Sequence, residues 1–242
     1  MFDYRRRMQR YTSGDYATDN PGWHEADAQI KADALISLLR FAGLQPRTVI
    51  DVGCGAGGVL RRLHRRLQPE LPETSWEGWD IAPEAIRRAR RFEGGRLRFV
   101  CGDFLRSDRR VELLLCLDVI EHVSDDLAFL SALGSRADWF VFRIPLDLSV
   151  LDLVRPDRML RARHRYGHRH LYSREVALDL LKEAGFVTEI VRYDRVPPPG
   201  DSVRARAIDR ARRSLFALAP DRTVCWLGGW SLLVAARAPG GG

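Results

Sequence analysis

Residues 49–58 read Val49-Ile50-Asp51-Val52-Gly53-Cys54-Gly55-Ala56-Gly57-Gly58. A β-branched run over 47–52 enters a glycine loop, and a helix follows over 59–67. A strand that ends in glycines and opens a helix is the context in which a backbone cradles a nucleotide-like ligand. Glycine is the residue for such a loop because it turns sharply and lets the chain approach a ligand closely.

Outward from this loop, strands and helices alternate. Strands are expected at 76–81, 97–101, 111–117 and 139–144, the last halted by Pro145. Helices fall between them at 83–92, with proline in the first turn, and at 125–133. The run Val111–Leu117 is apolar almost throughout, as a parallel strand covered on both faces should be. A helix at 173–184 stops at Gly185, a strand follows at 186–193, and a helix at 203–218 precedes a last strand at 230–236. Upstream, a helix over 23–42 ends at Gly43. The order implies a doubly wound parallel α/β sheet with helices on both faces. Its parts are an N-terminal arm and helix covering the site (1–45), the main domain (46–237) with inserts at 146–171 and 197–226, and a disordered tail (238–242).

A glycine loop alone also fits a dinucleotide-binding dehydrogenase; the acids at the strand ends separate the readings. Asp51 lies two residues before the first glycine, where it would repel a pyrophosphate seated on the helix N-terminus and welcome a cationic ligand. Asp80 ends the second strand, where an acid accepts ribose hydroxyls. Asp103 follows the third strand within reach of an adenine amino group, with Ile81 and Phe104 supplying apolar surface. Asp118 closes the fourth. Any one of these acids can be a cap or turn residue, but four in register with a glycine loop describe a ligand site at the carboxyl edge of the sheet.

Segments 49–58, 78–81, 102–104 and 115–123 resemble the successive motifs of class I methyltransferases dependent on S-adenosylmethionine (SAM), and the likeness extends to about residue 193. The nearest group is the small-molecule set that includes the ubiquinone-pathway O-methyltransferases. The resemblance implies a Rossmann-like seven-stranded sheet with the last strand antiparallel. It implies that Asp51, Gly53, Gly55 and Gly57 hold the methionine part, Asp80 the ribose, and Asp103 with Phe104 the adenine, with Cys54, Ile81, Leu117 and Asp118 completing the cofactor site. SAM carries a sulfonium and an ammonium and no phosphate, which suits Asp51.

Leu117-Asp118-Val119-Ile120-Glu121-His122-Val123 follows strand four without the Asn-Pro-Pro-Tyr or Asp-Pro-Pro-Tyr pattern that the resemblance associates with nucleobase or amide nitrogen. His122 is the candidate general base, since its ordinary pKa lies near working pH; the plainer reading makes Glu121 and His122 a turn and cap. The spacing Asp118-x-x-Glu121-His122 also resembles a metal pattern of some relatives. Those carry glutamate where this chain has Asp118, so no metal is expected.

The segment 155–170 holds six arginines and three histidines against one acid. In the resembled fold it overlies the acceptor pocket, so it is either a solvated face or an arginine-lined mouth for a carboxylate or phosphate. Arg5–Arg7, Arg10, Tyr11, Tyr16 and Trp23 would join it if the N-terminal arm folds over as a lid. The net charge of +7 comes almost entirely from arginine, since Lys31 and Lys182 are the only lysines, so it weighs less than the local cluster. The expected activity is methyl transfer from SAM to oxygen of a small anionic metabolite, by a monomer or homodimer. RNA methylation comes second, because the basic insert offers Tyr166 alone for base stacking; a non-catalytic SAM-binding partner comes third. Cys54, Cys101, Cys116 and Cys225 show neither a CxxC pair nor a zinc spacing and are expected to be free thiols. No run reaches membrane-spanning length and the first ten residues lack a secretory apolar core, so the chain is expected in the cytoplasm.

Overall fold

Seven strands form one sheet in the computed structural model, which describes residues 25–196 and 203–240. They are β1 (Thr48–Val52), β2 (Ser75–Asp80), β3 (Leu97–Cys101), β4 (Val111–Leu117), β5 (Ala137–Pro145), β6 (Val187–Arg195) and β7 (Trp230–Arg237). Their order across the sheet is β3-β2-β1-β4-β5-β7-β6. Strands β1 to β5 run parallel, and β7 is antiparallel to both β5 and β6. The Rossmann-like sheet with a reversed last strand is therefore the observed fold. Arg5–Arg7, Arg10, Tyr11, Tyr16, Trp23, the proline run at 197–199 and the two final glycines lie outside the described residues.

Side-chain alternation builds a core on each face of the sheet. On β4, Leu114 and Cys116 join Ile50, Phe140 and Phe142 on one face. Leu113, Leu115 and Leu117 join Val49, Val141 and Leu233 on the other. Helix α1 (Glu25–Ala42) buries Ala32, Leu35, Ile36, Leu38 and Leu39, the one-sided stripe of an amphipathic helix. Helix α2 (Gly58–Leu67) buries Leu60, Leu63 and Leu67 beneath its arginines, each leucine contributing about 1.5–3 kcal/mol. Across the sheet, Phe186 sets its ring edge-on to Phe140 and Phe142. Helices α3 (Pro83–Ala89), α4 (Asp126–Leu133) and α7 (Arg174–Glu183) complete the layers; α4 and α7 are capped by Asp125 and Ser173.

Several boundaries differ from the sequence expectation. The helix expected over 83–92 tightens into a 3-10 turn at Arg90–Phe92. Ile81 lies beyond β2, which ends at Asp80. The first insert folds into α5 (Val150–Val154), α6 (Pro156–Arg161) and a π turn over Ala162–Tyr166, and the second contains α8 (Val203–Leu218) and a further helix, α9 (Pro220–Leu227). The chain stays packed past residue 237: the Ala238 N–H donates to the Asp138 carbonyl, and Pro239 lies against Gly134 and Gly185. Gly134 and Gly185, without side chains, leave room there for the proline ring. All four cysteines are free thiols. Among the described residues no helix is long and apolar enough to cross a membrane.

Candidate active site

Parallel register brings the ends of β1, β2, β3 and β4 to one edge of the sheet, pairing Asp51 with Gly78 and Leu115, and Asp80 with Cys101. A cavity of about 1290 Å³ opens along this edge. It exceeds the roughly 300–1,000 Å³ that encloses one small ligand, so it has room for a donor and an acceptor together.

The glycine loop forms one wall. Gly53, Gly55 and Gly57 all adopt left-handed backbone, at φ 78°, 55° and 76°, which other residues enter only at a cost. At Gly53 a Cβ would come within 2.5 Å of Val119, and at Gly57 within 2.6 Å of Phe99. The loop is fastened to β2 from two directions. Gly53 and Cys54 donate to the Trp79 carbonyl at 2.8 and 3.0 Å. Asp80 accepts from Gly55 through Oδ2 and from Ala82 through Oδ1, both at 2.8 Å.

The expected site residues all line this cavity except Gly57, whose Cα faces Phe99 and Ala89. Asp51 is 2 % exposed, and its Oδ1 has no hydrogen-bond partner among the described residues. Burial, then the neighbouring Asp80, pushes its carboxyl up to about 8 against the pull of Lys31. Burial also raises Asp80, opposed by its backbone N–H donors. Asp103 caps a 3-10 turn by accepting from Leu105 at 3.1 Å while still facing the cavity. Phe104 is largely core, 2 % exposed and edge-on to Trp79, a cavity residue that sequence reasoning passed over. Cys54 is half-buried in the cavity wall, and burial beside Asp80 and Asp51 pushes its thiol well above its ordinary range, so it serves as apolar wall.

Asp118 lines the cavity with both carboxylate oxygens paired: Arg143 takes its Oδ1 at 2.5 Å and Lys31 its Oδ2 at 2.7 Å. Arg143 reaches Asp194 on β6 at 2.6 Å as well. Burial alone would raise Asp118, but these two cations outweigh it and hold the carboxyl well below the usual range. Asp118 also carries a left-handed backbone, φ 55°, so the turn after β4 is held in strain by this network. Lys31 comes from α1, which places that helix on the cavity wall with Asp27, Ala28 and Ile30.

Beyond Asp118 lies a second polar group. Glu121 is 0 % exposed, and neither carboxylate oxygen has a hydrogen-bond partner among the described residues. Burial, reinforced by Asp118, raises its carboxyl well above the ordinary range. His122 Nε2 stands 3.8 Å from Glu121 Oε1, and the His122 and His168 rings meet edge-on at 5.0 Å. His168 arrives from the basic insert because Arg169 and His170 donate backbone N–H groups to the Glu121 carbonyl at 2.7 and 3.3 Å. Part of the basic run is therefore stitching. His170 contacts the Val123 carbonyl, Arg169 donates to Ser124, and His168 pairs with Asp147. Arg163 and Arg169 nevertheless line the cavity, joined by Arg195 and Arg212 from outside the run.

A model of the methyltransferase domain matches residues 23–190 of the chain, more than half its length. The chain belongs to the methyltransferase domain family. It is a class I SAM-dependent methyltransferase, and SAM is its methyl donor. Solved structures share the fold. Magnesium protoporphyrin IX methyltransferase from Synechocystis PCC 6803, with S-adenosylhomocysteine (SAH) bound, is 17% identical with a TM-score of 0.58, over 91% of this chain and 86% of its own. A methyltransferase in complex with the Trm112 methyltransferase activator of Haloferax volcanii is 17% identical with a TM-score of 0.62, over 94% of this chain and 95% of its own. An O-methyltransferase family protein from Burkholderia thailandensis is 16% identical with a TM-score of 0.61, over 99% of this chain and 61% of its own.

Proposed function

We propose that this methyltransferase acts on oxygen of a small acceptor bearing a carboxylate or phosphate. The observation that carries the reading is the division of the cavity. Acids and glycines stand at the sheet edge, while Glu121, His122 and His168 stand with cavity-lining arginines on the insert side.

Bound SAM supplies a methyl group already activated on a sulfonium. The buried, unpartnered Asp51 Oδ1 fits the ammonium of such a ligand, since a cation there completes its bonding. Asp80 uses its remaining lone pairs for the ribose hydroxyls, and its bonds to Gly55 and Ala82 keep it oriented. Asp103, Ile81, Phe104 and Trp79 enclose the adenine, while Leu117 and Cys54 close the wall. The protein's task is then to align the acceptor and keep water out. His122 serves the acceptor and not the donor, because it faces Glu121 and His168. Arg163 and Arg169 meet the acceptor's anionic group at the mouth, where charge-assisted bonds are worth more than on open surface.

Screening carboxylate- and phosphate-bearing hydroxy compounds against neutral isosteres, with SAH formation as the readout, tests this reading. Arg163→Gln is expected to raise the KM of the acceptor at least about fivefold, the loss of roughly 1 kcal/mol, without changing SAH affinity. Added salt should weaken acceptor binding more in the wild type than in the variant. A neutral acceptor used equally well by both proteins would refute the anionic assignment. A steep linear fall of log affinity with log salt for unrelated RNA sequences would replace it with nucleic acid.

A further inference from the structure

We propose that Arg195 and Arg212 form a second anion subsite in the cavity, for a carboxylate or phosphate of the acceptor other than the one met at the mouth. The subsite stands on its own geometry; only its assignment to a methylated acceptor rests on the reading above.

The cavity continues past the turn after β4 to a wall without a role so far. Arg195, Val196, Arg212, Gly229, Trp230 and Ser231 line it, from the end of β6, from α8 and from the start of β7. All six lie beyond residues 23–190, so this wall stands outside the matched methyltransferase domain.

The fold brings the two guanidiniums together. Strands β6 and β7 set Arg195 opposite Trp230, and the Val196 N–H donates to the Gly229 carbonyl at 3.1 Å, which holds the end of β6 on the turn before β7. Arg195 donates through Nη1 to both oxygens of Asp209, at 2.8 and 2.6 Å. Asp209 stands one helical turn before Arg212 on α8, so both residues present to the same side. Arg212 lies across the turn itself. Its Nη2 donates to the Leu227 carbonyl at 2.9 Å, and its Nη1 is 3.0 Å from where a Cβ on Gly229 would stand. Gly228 and Gly229 both adopt left-handed backbone, φ 57° and 91°, and the side chain missing at Gly229 is what admits the guanidinium.

The acids around this wall are already engaged. Asp209 faces Arg213 at 3.4 Å as well as Arg195. Asp147 pairs with His168, Asp194 with Arg143, and Asp152 accepts from Ser149 in the cap of α5. Because Arg195 spends Nη1 alone on Asp209, its Nε and Nη2 have no partner among the described residues. Carboxylates and phosphates are the ligands that take parallel N–H groups from a guanidinium. Ser231 adds a separate sign of a polar ligand: it is 0 % exposed, lines the cavity, and its Oγ has no hydrogen-bond partner among the described residues. Trp230, stacked on Phe216 at 5.0 Å, supplies the apolar surface beside which a charge-assisted bond is worth more than in open water.

Arg163 and Arg169 thus enter the cavity from the first insert, and Arg195 and Arg212 from the far wall. The substrate class that fits is a hydroxy compound with two separated anionic groups.

The test is calorimetry on SAH-saturated protein with linear α,ω-dicarboxylates of increasing length, the matching phosphonocarboxylates, and monocarboxylates of equal length. At the length that spans both subsites a dianion is expected to bind at least about tenfold tighter than the monocarboxylate. The series with the larger gain separates phosphate from carboxylate. Arg195→Gln and Arg212→Gln should each cut that advantage at least about fivefold and bind SAH within about twofold of wild type, which certifies the fold. Asp209 keeps Arg213 when Arg195 is replaced, so Arg195→Gln carries the test alone should Arg212→Gln not fold. Dianions no tighter than monocarboxylates at any length overturn the proposal, and so does an advantage that the foldable variants leave intact. Arg163→Gln should cut the advantage as well. A loss in Arg195→Gln with none in Arg163→Gln would refute the mouth assignment and keep this subsite; the reverse would overturn this subsite alone.

Discussion

Asp51 should couple SAH binding to proton release, and this can be measured. Its carboxyl is pushed up to about 8, first by burial and next by Asp80, with Lys31 opposing. One unit below that value, at pH 7, ~0.9 of the molecules carry the proton, and ionising the group costs about 1.4 kcal/mol. A ligand ammonium opposite Oδ1 requires the ionised form. SAH binding at pH 7 should therefore release about 0.9 proton, seen by calorimetry as a heat that varies with the buffer's ionisation enthalpy. From pH 6 to pH 7 the affinity should climb about ninefold, because the protonated fraction to be displaced shrinks. Asp51→Asn resembles the protonated state, so it should fold, bind without proton release and show no such climb. Stability runs the opposite way. A carboxyl whose folded pKa is raised stabilises fully below its unfolded value near 3.8 and loses that contribution as pH rises through about 8. The melting temperature of the ligand-free wild type should thus fall across that window, and the Asn variant should be spared. Buffer-independent heats together with a flat affinity profile in the wild type would refute the pairing of Asp51 with the ammonium.

Two further outcomes test the frame around the site. Asp80→Ala removes the acceptor for Gly55 and Ala82 as well as the ribose partner; it should weaken SAH by about 1–3 kcal/mol in calorimetry, and unchanged affinity would mean that β2 does not meet the ribose. Arg143→Met leaves Asp194 and half of Asp118 buried without a cation, so urea unfolding at pH 7 should show a loss of about 3–5 kcal/mol. The depressed Asp118 carboxyl contributes stability above about pH 4 and loses it as pH falls, so the gap between the two proteins should narrow in acid; an unchanged urea midpoint at pH 7 would refute the network's structural role.

The sheet could be read from the chain because each of its strands carries its own local signal. Val111–Leu117 is apolar since both of its faces are covered, and Gly53, Gly55 and Gly57 mark the turn because each occupies left-handed backbone. The inserts lacked such a signal. Helix α5 is five residues long and is held by a reciprocal cap between Ser149 and Asp152, too short for any periodicity to show. Helix α9 opens on Pro220 and buries only Thr223 and Val224, so its packing is settled by neighbours distant in sequence. The packing of Pro239 depends likewise on Gly134 and Gly185 leaving space for it, a complementarity that no single window contains.

The same distinction explains what could be read of the site. Asp51 and Asp80 lie at strand ends beside the loop, where position alone made them ligand candidates, and both line the cavity. Asp118 occupies an equivalent position in sequence, but its partners Lys31 and Arg143 come from α1 and β5, and only the fold shows that its charge is already spent. A clue was present all the same. Arg143 is a lone charge in the apolar strand Trp139-Phe140-Val141-Phe142-Arg143-Ile144, and a buried guanidinium requires carboxylates. Glu121 is the converse case. It sits in a turn, where an acid ordinarily faces water, yet backbone bonds from Arg169 and His170 draw the insert over it and seal its carboxylate among histidines. The basic run thus does two jobs that charge counting merges into one. His168, Arg169 and His170 close the acceptor end by binding the turn after β4, and that closure is what leaves an acid and two imidazoles facing one another inside the cavity. An insert that only solvated its arginines would have no reason to spend backbone hydrogen bonds on the Glu121 carbonyl.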